Sequence, residues 1–299
     1  MSEFQSSHGV LVGVDGSAAS KAALAWATRE AAMLNVPLTL VHIVVPVLPT
    51  ATPVSSSEFV AGTDFFRWQE DQAVRVLDEA REAVAHSSDD GSPPIVHSVV
   101  LHGGAIANLA DMSKDADMVV VGSRGMGAFS RALLGSVSTG LVHHAHCPVA
   151  VIHEDPPAVA PDAPVLVGID GSAASLSATE IAFAEASRRG VDVVAMHAWR
   201  DITTVYEIPG LDAEQLEAEA RLELSERLAG FEERYPDVKV HQLVVCDQPS
   251  RQLVEHAKTA QLVVVGSHGR GGFEGMLLGS VSTTVIHAVK SPAIVARPR

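Results

Sequence analysis

Short runs of β-branched and aliphatic residues alternate along the chain with longer stretches in which apolar residues recur every three or four positions. In the first half the runs fall at about 10–14, 38–45, 95–101, 117–121 and 148–152, and the helical stretches at 18–34, 64–86, 105–114 and 136–145. Helical periodicity is plainest in the second half, where Leu216, Ala220, Leu224, Leu228 and Phe231 fall at steps of four and three. Several runs are apolar throughout rather than alternating, Met118 to Val121 among them, as strands covered on both faces must be. Strand–helix alternation closed by right-handed crossovers predicts an α/β fold with a doubly wound, Rossmann-like parallel sheet.

The pattern is written twice. Val10-Leu-Val-Gly-Val-Asp-Gly-Ser17 returns as Val165-Leu-Val-Gly-Ile-Asp-Gly-Ser172, a shift of 155 residues from Asp15 to Asp170, and Val41-His42 returns as Met196-His197 at the same shift. Val119-Val-Val-Gly-Ser123 and Leu134-Gly-Ser-Val-Ser-Thr139 return as Val263-Val-Val-Gly-Ser267 and Leu278-Gly-Ser-Val-Ser-Thr283, now shifted by 144, so the second copy is 11 residues shorter between His197 and Gly266. This predicts tandem domains over 1–153 and 164–299, joined by a Pro-rich acidic linker at 154–163. The length difference falls in a Pro-, Ser- and Thr-rich loop, Pro46 to Gly62, opposite the shorter Arg200 to Leu211. Such a loop is either a lid over the sheet's carboxyl edge or a tolerated insertion.

Composition narrows the partners. At 299 residues the chain has room for about two domains of ~150 residues. With 47% apolar and 19% charged residues it reads as globular. Lys and Arg total 21 against 36 Asp and Glu, a net charge of −15, which excludes tracking a phosphate backbone or an anionic lipid surface. No apolar run reaches the ~18 residues of a membrane span. Met1 to Gly9 lacks the pattern of a signal peptide, and Cys147 with Cys246 make no disulfide framework. A cytoplasmic protein is expected.

In doubly wound sheets the ligand crevice lies beyond the carboxyl ends of the strands, where strand order reverses. The repeated features collect there. Asp15 and Asp170 end the first strand of each copy, preceded by Gly13 and Gly168. After the fourth strand come Gly122-x-x-Gly125 and Gly266-x-x-Gly269, and after nine further residues Gly135-Ser136 and Gly279-Ser280 open a helix. Glycines let backbone N–H groups approach phosphate oxygens, and a helix N-terminus adds free N–H groups and partial positive charge. Ser136 and Ser280 are expected as N-caps, and Ser138 and Ser282 as further hydroxyl donors. Ser123, Arg124 and Gly127 belong to the same candidate loop in copy one, and Ser267, His268, Arg270 and Gly271 in copy two. Asp201, opposite Pro46, is either a ribose-binding acid or a solvated loop residue.

The loop lacks the lysine of a Walker A motif, and no acid repeated in both copies would orient a water, since Glu274 stands opposite Ser130. That favours holding a nucleotide over rapid turnover. His143, His144, His146 and Cys147 offer metal-ligand spacing, but copy two has His287, Ala288, Lys290 and Ser291 there, and histidines at a helix C-terminus suit its dipole. The mixed charges of Asp64 to Arg81 read as the solvated face of an amphipathic helix.

On the full Gly-x2-Gly-x9-Gly-Ser string, present twice, both copies resemble universal stress protein domains, over about 9–153 and 163–297. The resemblance implies that the string holds ATP phosphates, that the aspartate binds ribose or adenine, and that the residue after the second-strand histidine touches the base. It assigns Asp15, Ile43, Gly122, Gly125, Gly135, Ser136 and Val137 in copy one, and Asp170, Ala198, Gly266, Gly269, Gly279, Ser280 and Val281 in copy two. It implies ATP as ligand, Mg2+ with the phosphates, terminal strands paired across an intrachain pseudo-twofold, and a homodimer. The expected role is a nucleotide-dependent regulator in stress response or growth control. A slow metal-dependent ATPase and an interaction module with vestigial sites are the alternatives.

Overall fold

The computed structural model describes residues 8–45, 56–87, 93–125, 134–200, 213–270 and 278–298, with backbone alone at 56–64, 199–200 and 213. The chain divides into two compact units, Met1–Cys147 and Pro148–Arg299. Unit 1 runs β1 (Val10–Gly13), α1 (Ala18–Leu34), β2 (Leu38–Val44), α2 (Ser56–His86), β3 (Val96–His102), α3 (Ala105–Met112), β4 (Met118–Gly122) and α4 (Ser136–His144). Unit 2 runs β5 (Val149–Ile152), β6 (Val165–Gly168), α5 (Ala173–Arg189), β7 (Val193–Arg200), α6 (Ala213–Arg234), β8 (Val240–Cys246), α7 (Pro249–His256), β9 (Leu262–Gly266), α8 (Ser280–Ala288) and β10 (Ala293–Ala296).

Unit 1 forms a parallel sheet in the order β3-β2-β1-β4. In unit 2 the order is β5-β10-β9-β6-β7-β8, parallel except where β5 meets β10 with Ala150 opposite Ile294. The last strand of the first sequence copy therefore packs with the second unit. Each unit reverses direction at its first inner strand, since β1 lies between β2 and β4, and β6 between β7 and β9. That reversal opens a crevice at the strands' carboxyl ends.

The central strands are apolar because helices cover both faces. Val10, Leu11 and Val12, like Val165, Leu166 and Val167, are buried, and burying each such side chain contributes about 1.5–3 kcal/mol. Ser17 caps α1 by accepting from the Ser20 N–H at 3.2 Å, and Ser172 caps α5 from Ser175 at 3.1 Å. Left-handed residues end both helices, Asn35 at φ 54° and Gly190 at φ 65°. Gly122 and Gly266 let these helices sit close: a Cβ on either would lie 2.6 Å from a backbone carbon, of Ala19 or Ala174.

The loop expected over Pro46 to Gly62 is shorter than the sequence pattern suggests, because α2 already begins at Ser56. Pro53 is the last proline of that stretch, and Gly62 costs a helix interior only about 1 kcal/mol, so nothing beyond Pro53 bars helix. Residues 46–55, where a lid would hang, lie outside the described residues.

Candidate functional site

In unit 1 the chain leaves β1 through Val14 and Asp15 and turns at Gly16, whose φ of +84° favours glycine. Asp15 Oδ1 accepts the Ser17 N–H at 2.9 Å, which locks the carboxylate at the mouth of the crevice. His42 Nδ1 donates to the Val14 carbonyl at 2.7 Å and ties the end of β2 to this turn. Unit 2 repeats the arrangement: Asp170 Oδ1 accepts from Ser172 at 2.9 Å, and His197 Nδ1 donates to the Ile169 carbonyl at 2.7 Å.

The glycine string closes the opposite wall. A Cβ on Gly125 would stand 2.6 Å from Asp15 Oδ2, and one on Gly269 2.7 Å from Asp170 Oδ2. The loop thus approaches the carboxylate as only glycine allows. Gly135 and Gly279 are the N-caps of α4 and α8, and neither offers a side-chain cap. Ser136 and Ser280, expected as caps, are instead the first helical residues. The first-turn N–H groups, which have no acceptor within the helix, face the crevice uncapped. The N–H of Gly135 itself is spent on the Ser123 carbonyl, and that of Gly279 on Ser267, both at 2.7 Å.

These walls enclose a cavity of about 480 Å³ in unit 1 and about 380 Å³ in unit 2. The first is lined by Gly13, Asp15, Ile43, Gly122, Arg124 and Gly125, with Gly135, Ser136, Val137 and Ser138 on the helix side. The second is lined by Gly168, Asp170, Ala198, Gly266, His268 and Gly269, with Gly279, Ser280, Val281 and Ser282 opposite. Both volumes fall within the ~300–1,000 Å³ range of small-molecule sites.

Some expected residues do other work. Ser138 and Ser282 are buried and donate their hydroxyls to the carbonyls of Gly122 at 2.7 Å and Gly266 at 2.5 Å. A hydroxyl has one proton, so these serines brace the strand end rather than donate to a ligand. Ser123 and Ser267 are fully buried behind the loop. Arg270 does not line its cavity: its N–H reaches Asp170 Oδ2 at 3.1 Å while its guanidinium pairs with Glu223 on α6 at 2.9 Å. Gly127, Gly271 and Asp201 lie outside the described residues.

Residues that the motif did not flag complete both cavities. Ala105 and Leu109 from α3 line the first, and Pro249 and Leu253 from α7 the second. Their place was legible only as the start of the helix after the third strand. Glu223 was hidden in the periodicity of α6. It also pairs with Arg227 and lies 4.0 Å from His197 Nε2.

Charge at the second site is tightly held. Burial works against ionising Asp170, but the Ser172 N–H and hydroxyl, the Ser175 hydroxyl and the Arg270 N–H outweigh it and keep the carboxyl below its usual range. The Arg270 hydrogen bond, aided by Arg227 and His197 and opposed by burial, likewise holds Glu223 low. Among the described residues no group of three or more His, Cys, Asp or Glu side chains could hold a metal ion. No helix among them is long and apolar enough to cross a membrane.

Each unit is thus a doubly wound α/β domain with a glycine-walled, helix-capped crevice at its switch point, the architecture of a small-anion or nucleotide site. The family model described as "Universal stress protein family" matches residues 7–153 and 163–297. The chain belongs to that family. A universal stress protein of Mycobacterium bovis is 51% identical over 300 residues, covering 99% of both chains, and one of Mycobacterium tuberculosis is 50% identical with the same coverage. The crystal structure of a universal stress protein from Archaeoglobus fulgidus shares the fold at a TM-score of 0.69 and 20% identity, covering 98% of this chain and 97% of that one.

Proposed function

We propose that the protein binds ATP, one molecule in each unit, and acts as a nucleotide-dependent regulator in stress response or growth control. The observation that carries this reading is the meeting, in both units, of a fixed carboxylate, a glycine loop and an uncapped helix N-terminus around one cavity. The uncapped N–H groups and the glycine loop suit phosphate oxygens. Asp15 and Asp170 accept hydrogen bonds and suit ribose hydroxyls or an adenine amine. Ile43 and Ala198 offer apolar wall to a base. Mg2+ would be held through the phosphates. We read the active form as a cytoplasmic homodimer, which analytical ultracentrifugation with and without ATP tests.

A second reading is a slow metal-dependent ATPase, since phosphoryl transfer needs mainly positioning and charge stabilisation. The test is native mass spectrometry and calorimetry with Mg-ATP on the chain and on Gly125→Ala/Gly269→Ala. In that variant each new methyl displaces the aspartate carboxylate without touching backbone. Loss of ATP binding with the melting point retained supports the reading. A wild-type chain that ignores Mg-ATP leaves an interaction module with vestigial sites. Phosphate release that stops in the variant selects the ATPase.

A further inference from the structure

A second cavity of about 480 Å³ opens in unit 1 between α1 and α2, on the far side of Val14 and Ser20 from the strand-edge crevice. Unit 2 shows what fills the equivalent groove there. Helices α1 and α5 match at the shift of 155, so Phe183 stands at the place of Thr28. Val76 lies against Gly16 as Arg227 lies against Gly171, and the buried Ala73 and Leu77 of α2 fall where Leu224 and Leu228 are buried in α6, which together give a shift of 151 between the two helices. Phe231 then stands at Ala80, Arg234 at Ala83 and Tyr235 at Val84.

In unit 2 the Phe183 ring stacks on Phe231 at 5.3 Å and meets Tyr235 at 5.9 Å. The Arg234 guanidinium covers the Phe231 and Tyr235 rings at 5.5 and 5.2 Å. Unit 1 presents Thr28, Ala80, Ala83 and Val84 at the same places, and all of them line the cavity. The Thr28 hydroxyl is spent on the Leu24 carbonyl at 2.8 Å, so this wall offers apolar surface. Close-packed interiors keep few voids larger than a water. This one lacks both the rings and the guanidinium that plug its counterpart. Its rim carries Glu79 and Glu82 against Lys21, with His86 beside them, an acidic balance at neutral pH.

We infer that this groove is a ligand site, distinct from the strand-edge crevice, for a flat aromatic ring bearing a delocalised cation. The ligand supplies in one molecule the stacked ring and the guanidinium that unit 2 carries as side chains, and its charge complements Glu79 and Glu82.

Benzamidine is the probe, because it is a phenyl ring joined to an amidinium. Saturation-transfer NMR on the full chain detects its binding at millimolar concentration, with benzoate and cyclohexylamine as controls for charge and flatness. Thr28→Phe/Ala80→Phe rebuilds the ring pair of unit 2, and should weaken benzamidine more than about 10-fold while the melting point holds or rises. Glu79→Gln/Glu82→Gln on the exposed rim should weaken it roughly 3- to 5-fold. Gly125→Ala should leave it unchanged. The inference is overturned if the wild-type chain does not bind benzamidine, if the refilled chain binds it equally, or if benzoate or cyclohexylamine binds as well. It is also overturned if Gly125→Ala abolishes binding, which would put the probe in the strand-edge crevice. Should the refilled chain fail to fold, the rim variant decides alone, and unchanged affinity there overturns the inference.

Discussion

Units 1 and 2 place the same backbone around the same crevice, yet dress its mouth with different charges. The Asp15 and Asp170 turns have the same 2.9 Å hydrogen bond, and Gly122 and Gly266 meet α1 and α5 at the same 2.6 Å. Beyond that shared frame the copies diverge. Arg124 lines the first cavity where His268 lines the second. Against the Gly16 turn stands an apolar Val76, whereas Gly171 faces Arg227, itself paired with Glu223. Glu30 and Glu185 are both fully buried one helix away, but Met33 and Leu34 stand where Glu185 has Arg188 and Arg189. What the two copies share is what backbone packing dictates, and what they have exchanged is side-chain electrostatics that the packing leaves open.

The largest effect should come from copying unit 1 into unit 2 at the buried acid. Glu185 accepts from Arg189 at 2.8 Å and also from Arg188, with no exposure of its own side chain. Arg188→Met/Arg189→Leu removes both guanidinium partners of that buried carboxylate and should cost about 3 kcal/mol. Urea unfolding measures it, and a change within error would mean that the two helices solve their buried acids the same way. Next comes the shared frame. Gly122→Ala and Gly266→Ala each push a methyl into fixed backbone, and each should cost about 2–3 kcal/mol of stability. Equal losses would support a common frame, and a harmless variant in one unit would break the comparison. These glycines are therefore poor controls for ligand binding, unlike Gly125 and Gly269.

Much of this frame was readable from the chain. The repeated strand-Asp-Gly-Ser and Gly-x2-Gly-x9-Gly-Ser strings located both crevices, because glycine and cap residues mark turns by local rules. The fate of the serines was not readable. Whether Ser138 donates to a ligand or to the Gly122 carbonyl depends on a contact across 16 residues that no local rule fixes. The emptied groove was also invisible. Pairing Ala80 with Phe231 requires knowing where the length difference falls, and periodicity alone slides by a turn. The shift drops from 155 to 151 before α2 and α6 and from 151 to 144 after them, so only four of the eleven residues belong before α2, where the Pro46 to Gly62 loop was expected to hold them all. The strand Val149–Ile152 reads as the end of copy one in sequence, while its packing assigns it to unit 2.

A smaller effect would sharpen the difference at the two mouths. Glu223 holds the Arg270 guanidinium at 2.9 Å, and Arg270 does not line the second cavity. In a Gly125→Ala background, expected to silence the proposed site of unit 1, Glu223→Gln should tighten Mg-ATP about 3- to 5-fold by freeing Arg270 and removing a negative charge. Calorimetry reads the constant. Weaker binding would mean that Glu223 positions Arg270 for the nucleotide, and adding Arg270→Gln should cancel the gain.

The smallest predicted effect is a pH dependence of unit 2. Because the folded Asp170 carboxyl titrates below the unfolded value of about 3.9, the unfolded chain binds more protons in the window between the two. Stability therefore rises with pH through that window. The Asp170 contribution is fully present above about pH 4 and is lost as the pH falls through the lower folded value. Asp170→Asn keeps the side-chain carbonyl that accepts from Ser172 but cannot titrate, so its melting point should fall less steeply below about pH 4 than that of the parent chain. Above that range the two curves should run parallel, with the variant lower. Parallel curves down to the acid limit would show that the Ser172, Ser175 and Arg270 donors favour the charged and neutral carboxyl equally, and would remove the electrostatic reason for the tight turn at this aspartate.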